Sequence, residues 1–331
     1  MFCFFTSFSQ TDTGKKINTK LIKVNNDIYM LQGKGGNIGL SFGSNGIFMI
    51  DDQYADGIEQ IQEDIKKKSD KPVRFLVNTH FHGDHTGGNA AMAETGTVIF
   101  SQENVRNRLQ EMMQKETKKI PLENLPVITF SEDLSFYFNG EKIYVFHVHN
   151  AHTDGDAMVY FTDSNVLHTG DVFFNGKYPF IDAENGGTLK GCVEGLEKAL
   201  LIINEDTKII PGHGEVGTYK DLQKTIDMLS IVYKRVFTNY INKKTEDEVA
   251  KMTDITKQYD DNGYGSGFIS KEAFLRMVYK EVANDRKDIE INAEKNRKAR
   301  EKMEKMKEQI KQQKTDQPKP AQNVKGSNDI D

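Results

Sequence analysis

Apolar positions recur along this chain in two periods, and the switches between them lay out the fold. Strand-like runs at 20–24 and 27–31, around Asn25-Asn26, predict a hairpin. Runs at 38–42 and 47–52 follow, joined by the turn Gly43-Ser44-Asn45-Gly46. Ile58, Ile61 and Ile65 then repeat at helical spacing, with Lys66-Lys67-Lys68 at the end where cations suit the helix dipole. Strands are predicted at 73–78 and 98–100, and a charged surface helix over 103–118. A second group of strands begins at 127. Asn139-Gly140 marks a hairpin between 134–138 and 142–148, and strands 157–161 and 165–168 follow. Helix 188–203, strand 208–210 and helix 218–240 complete the compact part. Strand meanders broken by single helices, twice over, predict two packed sheets with helices outside.

Residues 244–283 read as helices around the loop Asp260-Asp261-Asn262-Gly263-Tyr264-Gly265-Ser266-Gly267, packed on the core through Phe268, Phe274, Met277 and Tyr279. As an EF-hand the loop fails: with Ile269 at position 8, position 12 is Ala273, which has no oxygen to offer. From 285 to 314 charged residues dominate, and Ala299, Met303, Met306 and Ile310 make a seam too short for a coiled coil. A solvated single helix is expected there, ending in a Gln-, Pro- and Asn-rich tail, 315–331, of disordered composition.

Composition narrows the classes. A net charge of −5 over 331 residues argues against a surface that tracks nucleic-acid phosphates, and no apolar run approaches membrane-spanning length. A small-molecule substrate is the expected partner. The apolar start, Phe2-Cys3-Phe4-Phe5-Thr6-Ser7-Phe8-Ser9, reads as the end of a secretory leader over residues 1–9, with Ser7 and Ser9 as the small residues before cleavage. A periplasmic or secreted protein is expected, with the cytoplasm as the alternative. Without the leader Cys192 stands alone, so no intramolecular disulfide forms, and it reads as a small buried residue at a helix start.

The chemistry concentrates in Thr79-His80-Phe81-His82-Gly83-Asp84-His85, between a strand and a helix start. Imidazole and carboxylate are the ligands that a borderline metal such as zinc prefers. Alternate residues of an extended segment share a face, so His80 and His82 can grip one metal while Asp84 and His85, at the turn, face a second. Further ligands follow at strand ends: His152 in Asn150-Ala151-His152-Thr153-Asp154-Gly155-Asp156, Asp171 after His168-Thr169-Gly170, and His213 in Pro211-Gly212-His213-Gly214. They assemble into three histidines for one metal, Asp84, His85 and His213 for the other, and Asp171 between. His147, His149 and His168 receive no metal by spacing, Asp154 and Asp156 read as turn formers, and 33–37, Gly33-Lys34-Gly35-Gly36-Asn37, is expected to be a mobile loop beside the site, too glycine-rich to pack.

This set resembles the metallo-β-lactamase superfamily. Its HxHxDH motif is matched by His80, His82, Asp84 and His85, its later histidine by His152, its Gly-Asp by Gly170-Asp171 and its last histidine by His213. The resemblance covers about 20–235 and implies an α/β fold, the four-layer αβ/βα sandwich, as a catalytic domain. It leaves 236–283 as a helical extension packed on the core and 284–331 as a charged helix and tail. It implies two Zn(2+) ions per chain and a hydroxide bridging them that attacks an acyl carbon, with Asp84 as ligand and proton relay. Asp51, at the end of an early strand, matches the family's support for the ligand loop. Asn185, in Glu184-Asn185-Gly186-Gly187, is a candidate oxyanion donor.

The implied activity is a secreted dinuclear zinc hydrolase acting on a cyclic amide or ester, with a β-lactam favoured. Two departures weigh on that substrate. Asp171 stands where one β-lactamase subclass has a cysteine, and Phe174 where it has a substrate-binding lysine, with Lys177 out of register. A bridging aspartate is more similar to glyoxalase II, lactonases and other broad hydrolases of the superfamily, so a glyoxalase II type thioester hydrolase, with Lys271 and Arg276 as available basic residues, is the alternative. A mononuclear iron enzyme of the persulfide dioxygenase type and a binding-only metal domain are the others.

Overall fold

The computed structural model describes residues 17–115 and 121–315. The leader read at 1–9 and the tail from 316 lie outside them. The first sheet takes its strands in chain order: β1 (Lys20–Asn25), β2 (Ile28–Gln32), β3 (Ile38–Gly43), β4 (Gly46–Ile50), β5 (Val73–Asn78), β6 (Val98–Gln102) and β7 (Ile128–Phe130). The first four are antiparallel, and β4 to β7 are parallel. Parallel neighbours need crossovers. These are α1 (Ile58–Lys68), the short pair α2 (Gly83–Thr86) and α3 (Asn89–Glu94), and α4 (Glu103–Lys115).

The second sheet places β8 (Asp133–Phe138), β9 (Glu141–His147), β10 (Ala157–Phe161), β11 (Val166–His168), β12 (Lys208–Ile210) and β13 (Gly217–Thr218) side by side. Only β11 and β12 are parallel, joined through α5 (Leu189–Ile202). The β8–β9 turn carries Asn139 at φ 53° and Gly140 at φ 86°, the left-handed pair that matches the twist of a tight hairpin.

The two-residue alternation of each strand separates the layers. Met30, Phe48, Ile50, Val77 and Phe100 point inward and meet Val145, Val159, Phe161 and Ile210 of the second sheet. Their neighbours Leu31, Ile47, Met49, Leu76 and Ile99 point outward and are covered by Ile58, Ile61 and Ile65 of α1 and Met92 of α3. On the other side α5 packs against α6 (Tyr219–Ile241), which starts from a Thr218–Asp221 capping box. The result is the four-layer sandwich.

α7 (Glu246–Lys251) and α8 (Lys257–Asp260) follow, then α9 (Lys271–Thr315). The chain divides into one unit through Glu281 and another from Val282. In the first, Phe274, Leu275 and Val278 are buried, and Met277 and Tyr279 are half-buried. Phe268 departs from expectation: it is 87% exposed rather than packed on the core. In the second unit Met303 and Met306 are exposed and Arg297 pairs with Glu294 and Glu301, as a solvated helix should. That helix starts at Lys271 and not near 285, because no glycine or proline interrupts 271–315. Among the described residues no helix is long and apolar enough to cross a membrane.

Candidate metal centre

Every ligand candidate follows the end of a strand, along one edge of both sheets. Strand β5 ends at Asn78 and delivers His80 and His82. Helix α2 then turns Asp84 and His85 inward, its N-cap being His82 itself. The loop after β9 brings His152, the turn after β11 brings Asp171, and the turn after β12 brings His213. Exits from the carboxyl ends of parallel strands are where α/β sheets place ligands.

Three groups of ligand atoms lie within 4.8 Å of one another: His80, His82 and His152; His80, His85 and Asp171; and Asp84, His85 and His213. His82 Nδ1 is 2.9 Å from His152 Nε2. Asp171 reaches both groups, with Oδ1 3.1 Å from His85 Nε2, and Oδ2 3.4 Å from His213 Nε2 and 3.7 Å from His152 Nε2. A tetrahedral centre with bonds near 2.1 Å has ligand–ligand edges of roughly 3.4 Å, which these spacings straddle.

The buried atoms without a hydrogen-bond partner fit a metal as well. Among the described residues they are His80 Nε2, His85 Nε2, Asp171 Oδ1 and Asp52 Oδ2, and three of these four point into the centre. Orphaned polar atoms at such depth are costly unless something binds them. The residues present fit two metal ions.

Charge divides the centre in two. Burial, reinforced by the neighbouring His85 and His152, holds His80 well below the usual histidine range, and burial lowers His152 to about 4. These imidazoles are neutral donors. Burial opposes the charge on His213 too, but Asp171 and Asp84 overcome it and raise the pKa to about 9. His85 is likewise raised against burial by Asp171 and Asp51, and Asp171 is held well below the carboxylate range by His85 and His213. His80 and His152 are thus held neutral, whereas His85, His213 and Asp171 form an ion cluster.

Three of the rings are oriented from behind. Asp51, fully buried, accepts from Thr79 N–H, from Thr79 Oγ1 and from His85 Nδ1, each at 2.7 Å. His152 Nδ1 donates to the Phe180 carbonyl at 2.8 Å. His82 Nε2 lies 2.9 Å from Asp182 Oδ2. Asp182 was not legible in the sequence: it stands 100 residues from His82, and no motif points to it. Asp156 accepts from Thr153 N–H and Oγ1, fixing the turn that presents His152, while Asp154 pairs with Arg108.

The remaining candidates fall elsewhere. His147 bonds the Asp156 carbonyl, His149 pairs with Glu132 at the surface, and His168 donates to the Asn37 carbonyl. Asn185 donates its amide to Asp182 Oδ2 at 2.7 Å and does not line the cleft. Cys192 is a buried thiol in α5.

The 33–37 loop overturns its expectation. It packs directly on the centre: Gly36 N–H donates to the Asp84 carbonyl, Gln53 Nε2 to the Gly36 carbonyl, and the Asn37 amide to the Pro211 and Gly214 carbonyls. A Cβ on Gly36 would sit 2.1 Å from His85 Cε1. Glycine is there for close approach, not slack. Gly36→Ala is therefore expected to displace His85 and weaken metal binding about 10- to 100-fold, the range for losing a ligand's support. Chelator competition would measure it, and unchanged affinity would refute the close packing.

A metallo-beta-lactamase superfamily model matches residues 43–213. The chain is 24% identical over 187 residues to metallo-beta-lactamase type 2 of Bacillus cereus, covering 56% of this chain and 70% of that one. It is 28% identical over 183 residues to a Bacillus subtilis protein described as a probable metallo-hydrolase, YqgX, covering 52% and 85%. Among solved structures, the DIM-1 metallo-beta-lactamase superposes with a TM-score of 0.55 at 19% identity, over 65% of this chain and 98% of that chain. A double mutant of the sec-alkyl sulfatase PisA1 superposes at 0.62 and 17%, over 79% and 50%. At such identities these superpositions speak to the fold alone.

Proposed function

Because this chain belongs to the metallo-β-lactamase superfamily and carries the His/Asp clusters of a metallo-hydrolase, we propose that it holds two zinc ions and hydrolyses a cyclic amide or ester, a β-lactam first among them. The observation that carries the two-ion reading is Asp171, whose two oxygens face both ligand groups at once; the choice of a β-lactam rests on the similarity to a type 2 metallo-beta-lactamase and not on this residue. His80, His82 and His152 would hold one ion, and Asp84, His85 and His213 the other. Zinc there supplies a Lewis acid for the scissile carbonyl and an activated water near neutral pH.

The chain's own groups do the rest. Asp84 Oδ2, 3.3 Å from His213 Nε2, lies at the cleft floor, where it takes a proton from water and returns it to the leaving atom. The cleft is lined by no Ser, Thr or Cys among the described residues, which agrees with water as the nucleophile. The 24% identity to a type 2 metallo-beta-lactamase supports the lactam. Of the basic residues expected for the thioester reading, Arg276 is paired with Glu246, Asp247 and Glu272, and neither it nor Lys271 lines the cleft, although Lys34 and Lys177 do. Export follows the reading of residues 1–9 and is proposed on that basis alone.

The test is metal content together with turnover of a β-lactam, a lactone and a glutathione thioester by the zinc-loaded protein. Two zinc per chain and β-lactam turnover are expected. One iron per chain would overturn the zinc reading, and lactone turnover without β-lactam turnover would overturn the substrate. No turnover at all, with both ions bound, would overturn the β-lactam, lactone and thioester readings together.

A further inference from the structure

We propose that the loop 263–268 of the helical extension, together with Phe180, forms an aromatic shelf in the metal cleft that selects substrates with a flat apolar group beside the scissile bond. The proposal rests on the hydrolytic reading above. The cleft, of about 540 Å³, is lined at its floor by His82, Asp84, Asp171 and His213 and on its walls by Phe180 and Phe268. That volume suits a small drug-sized ligand. Phe268 lies more than 50 residues beyond His213, the last of the metal ligands, so the extension contributes to the site itself.

The shelf is continuous with the metal centre. The Phe180 ring centroid is 6.0 Å from that of His82 and 5.7 Å from that of His152, and its carbonyl orients His152. The Phe268 ring meets Phe180 edge-to-face, at 6.1 Å and 88°. An isolated exposed aromatic needs no explanation. This one is 87% exposed, lines the same cleft as four ligands, and extends an aromatic surface that starts at the histidines. Phe180 therefore walls the His82 and His152 side of the cleft, while Phe174 stacks on His213 at 5.2 Å and 13°, and Lys34 and Tyr54 complete the lining.

The loop is held in place, which a specificity wall requires. Lys177 Nζ donates to the Gly263 carbonyl at 3.2 Å and to Ser266 Oγ at 2.7 Å. Tyr178, fully buried, stacks on Phe274 at 4.4 Å and 11° and donates its hydroxyl to Asp260 at 2.7 Å. A Cβ at Gly267 would lie 3.1 Å from Lys177 Cδ, so the backbone closes tightly on its clamp. The segment 177–182 thus links two tasks: it anchors the loop at one end and orients His152 and His82 at the other.

A substrate's planar group laid on both rings would remove Phe268 from water and gain offset or edge contacts with it. The test compares kcat/KM for two penicillin-type β-lactams that differ only in carrying or lacking a phenylacetyl side chain. The zinc-loaded protein is expected to prefer the phenylacetyl compound. Phe268→Ala should cut that preference about tenfold, Phe268→Leu should retain most of it, and Tyr137→Ser, an equally exposed aromatic outside the cleft, should leave it intact. An unaltered preference in Phe268→Ala would overturn the shelf. If neither lactam is turned over, the hydrolytic reading of the substrate fails by itself. Calorimetry with phenylacetate then decides the shelf: weaker binding to Phe268→Ala supports it, and equal or absent binding overturns it.

Discussion

Asp171→Ala should abolish turnover, with kcat/KM falling by about 10³-fold, since several kcal/mol of charge stabilisation are removed at about 1.4 kcal/mol per decade. Asp171 reaches both groups, lying against His85, His152 and His213 at 3.1–3.7 Å. It also provides most of the attraction that keeps His213 protonated in the chain without metal. The variant should therefore bind less metal and carry a lower His213 pKa, visible as a shifted imidazole titration. Its sheets do not depend on the residue, so far-ultraviolet circular dichroism should match the parent. Activity within tenfold of the parent would sink the assignment of Asp171 as the shared ligand.

Asp51→Ala should have the largest effect on stability. The carboxylate has no exposure, and it accepts three hydrogen bonds from Thr79 and His85. Breaking a buried pair of this kind costs about 3–5 kcal/mol. The backbone adds to the penalty, because Asp51 sits at φ 60°, where aspartate and asparagine are tolerated and alanine is not. Asp51→Asn separates the two contributions: it keeps the backbone preference and loses the charge. Urea unfolding of the metal-free chains should rank parent, then Asn, then Ala, and equal midpoints would refute the role.

The two charged histidines of the centre carry a pH dependence. His85 and His213 are both raised above the ordinary histidine pKa of about 6.5. Their contribution to the metal-free fold is fully present below that value and is lost as pH rises, through about 9 for His213.

The convergence of the candidate ligands was legible in the sequence because metal binding demands particular atoms at chain exits, and strand ends announce themselves by periodicity. His80, His82, Asp84 and His85 lie in one motif, and His152, Asp171 and His213 each follow an apolar run. Asp182 and Phe268 were not legible in their roles, since their neighbours at the site come from distant parts of the chain. The 33–37 loop was misread for a different reason. Glycine signals freedom in an isolated chain and closeness in a packed one, and only the position of His85 decides between them. The start of α9 was misplaced because a rise in charge density does not end a helix, whereas a glycine or proline would.

The placement of the ligands has a thermodynamic consequence. They come from both sheets, His80 to His85 beyond the first and His152, Asp171 and His213 beyond strands of the second. Ions shared between them would act as clasps across the sandwich, present in the folded chain and missing from the unfolded one. Each tenfold rise in free metal above the dissociation constant then adds about 1.4 kcal/mol per site to the folding free energy. The melting temperature would then become a function of metal supply, and a chelator would lower the stability of this protein as well as any metal-dependent activity.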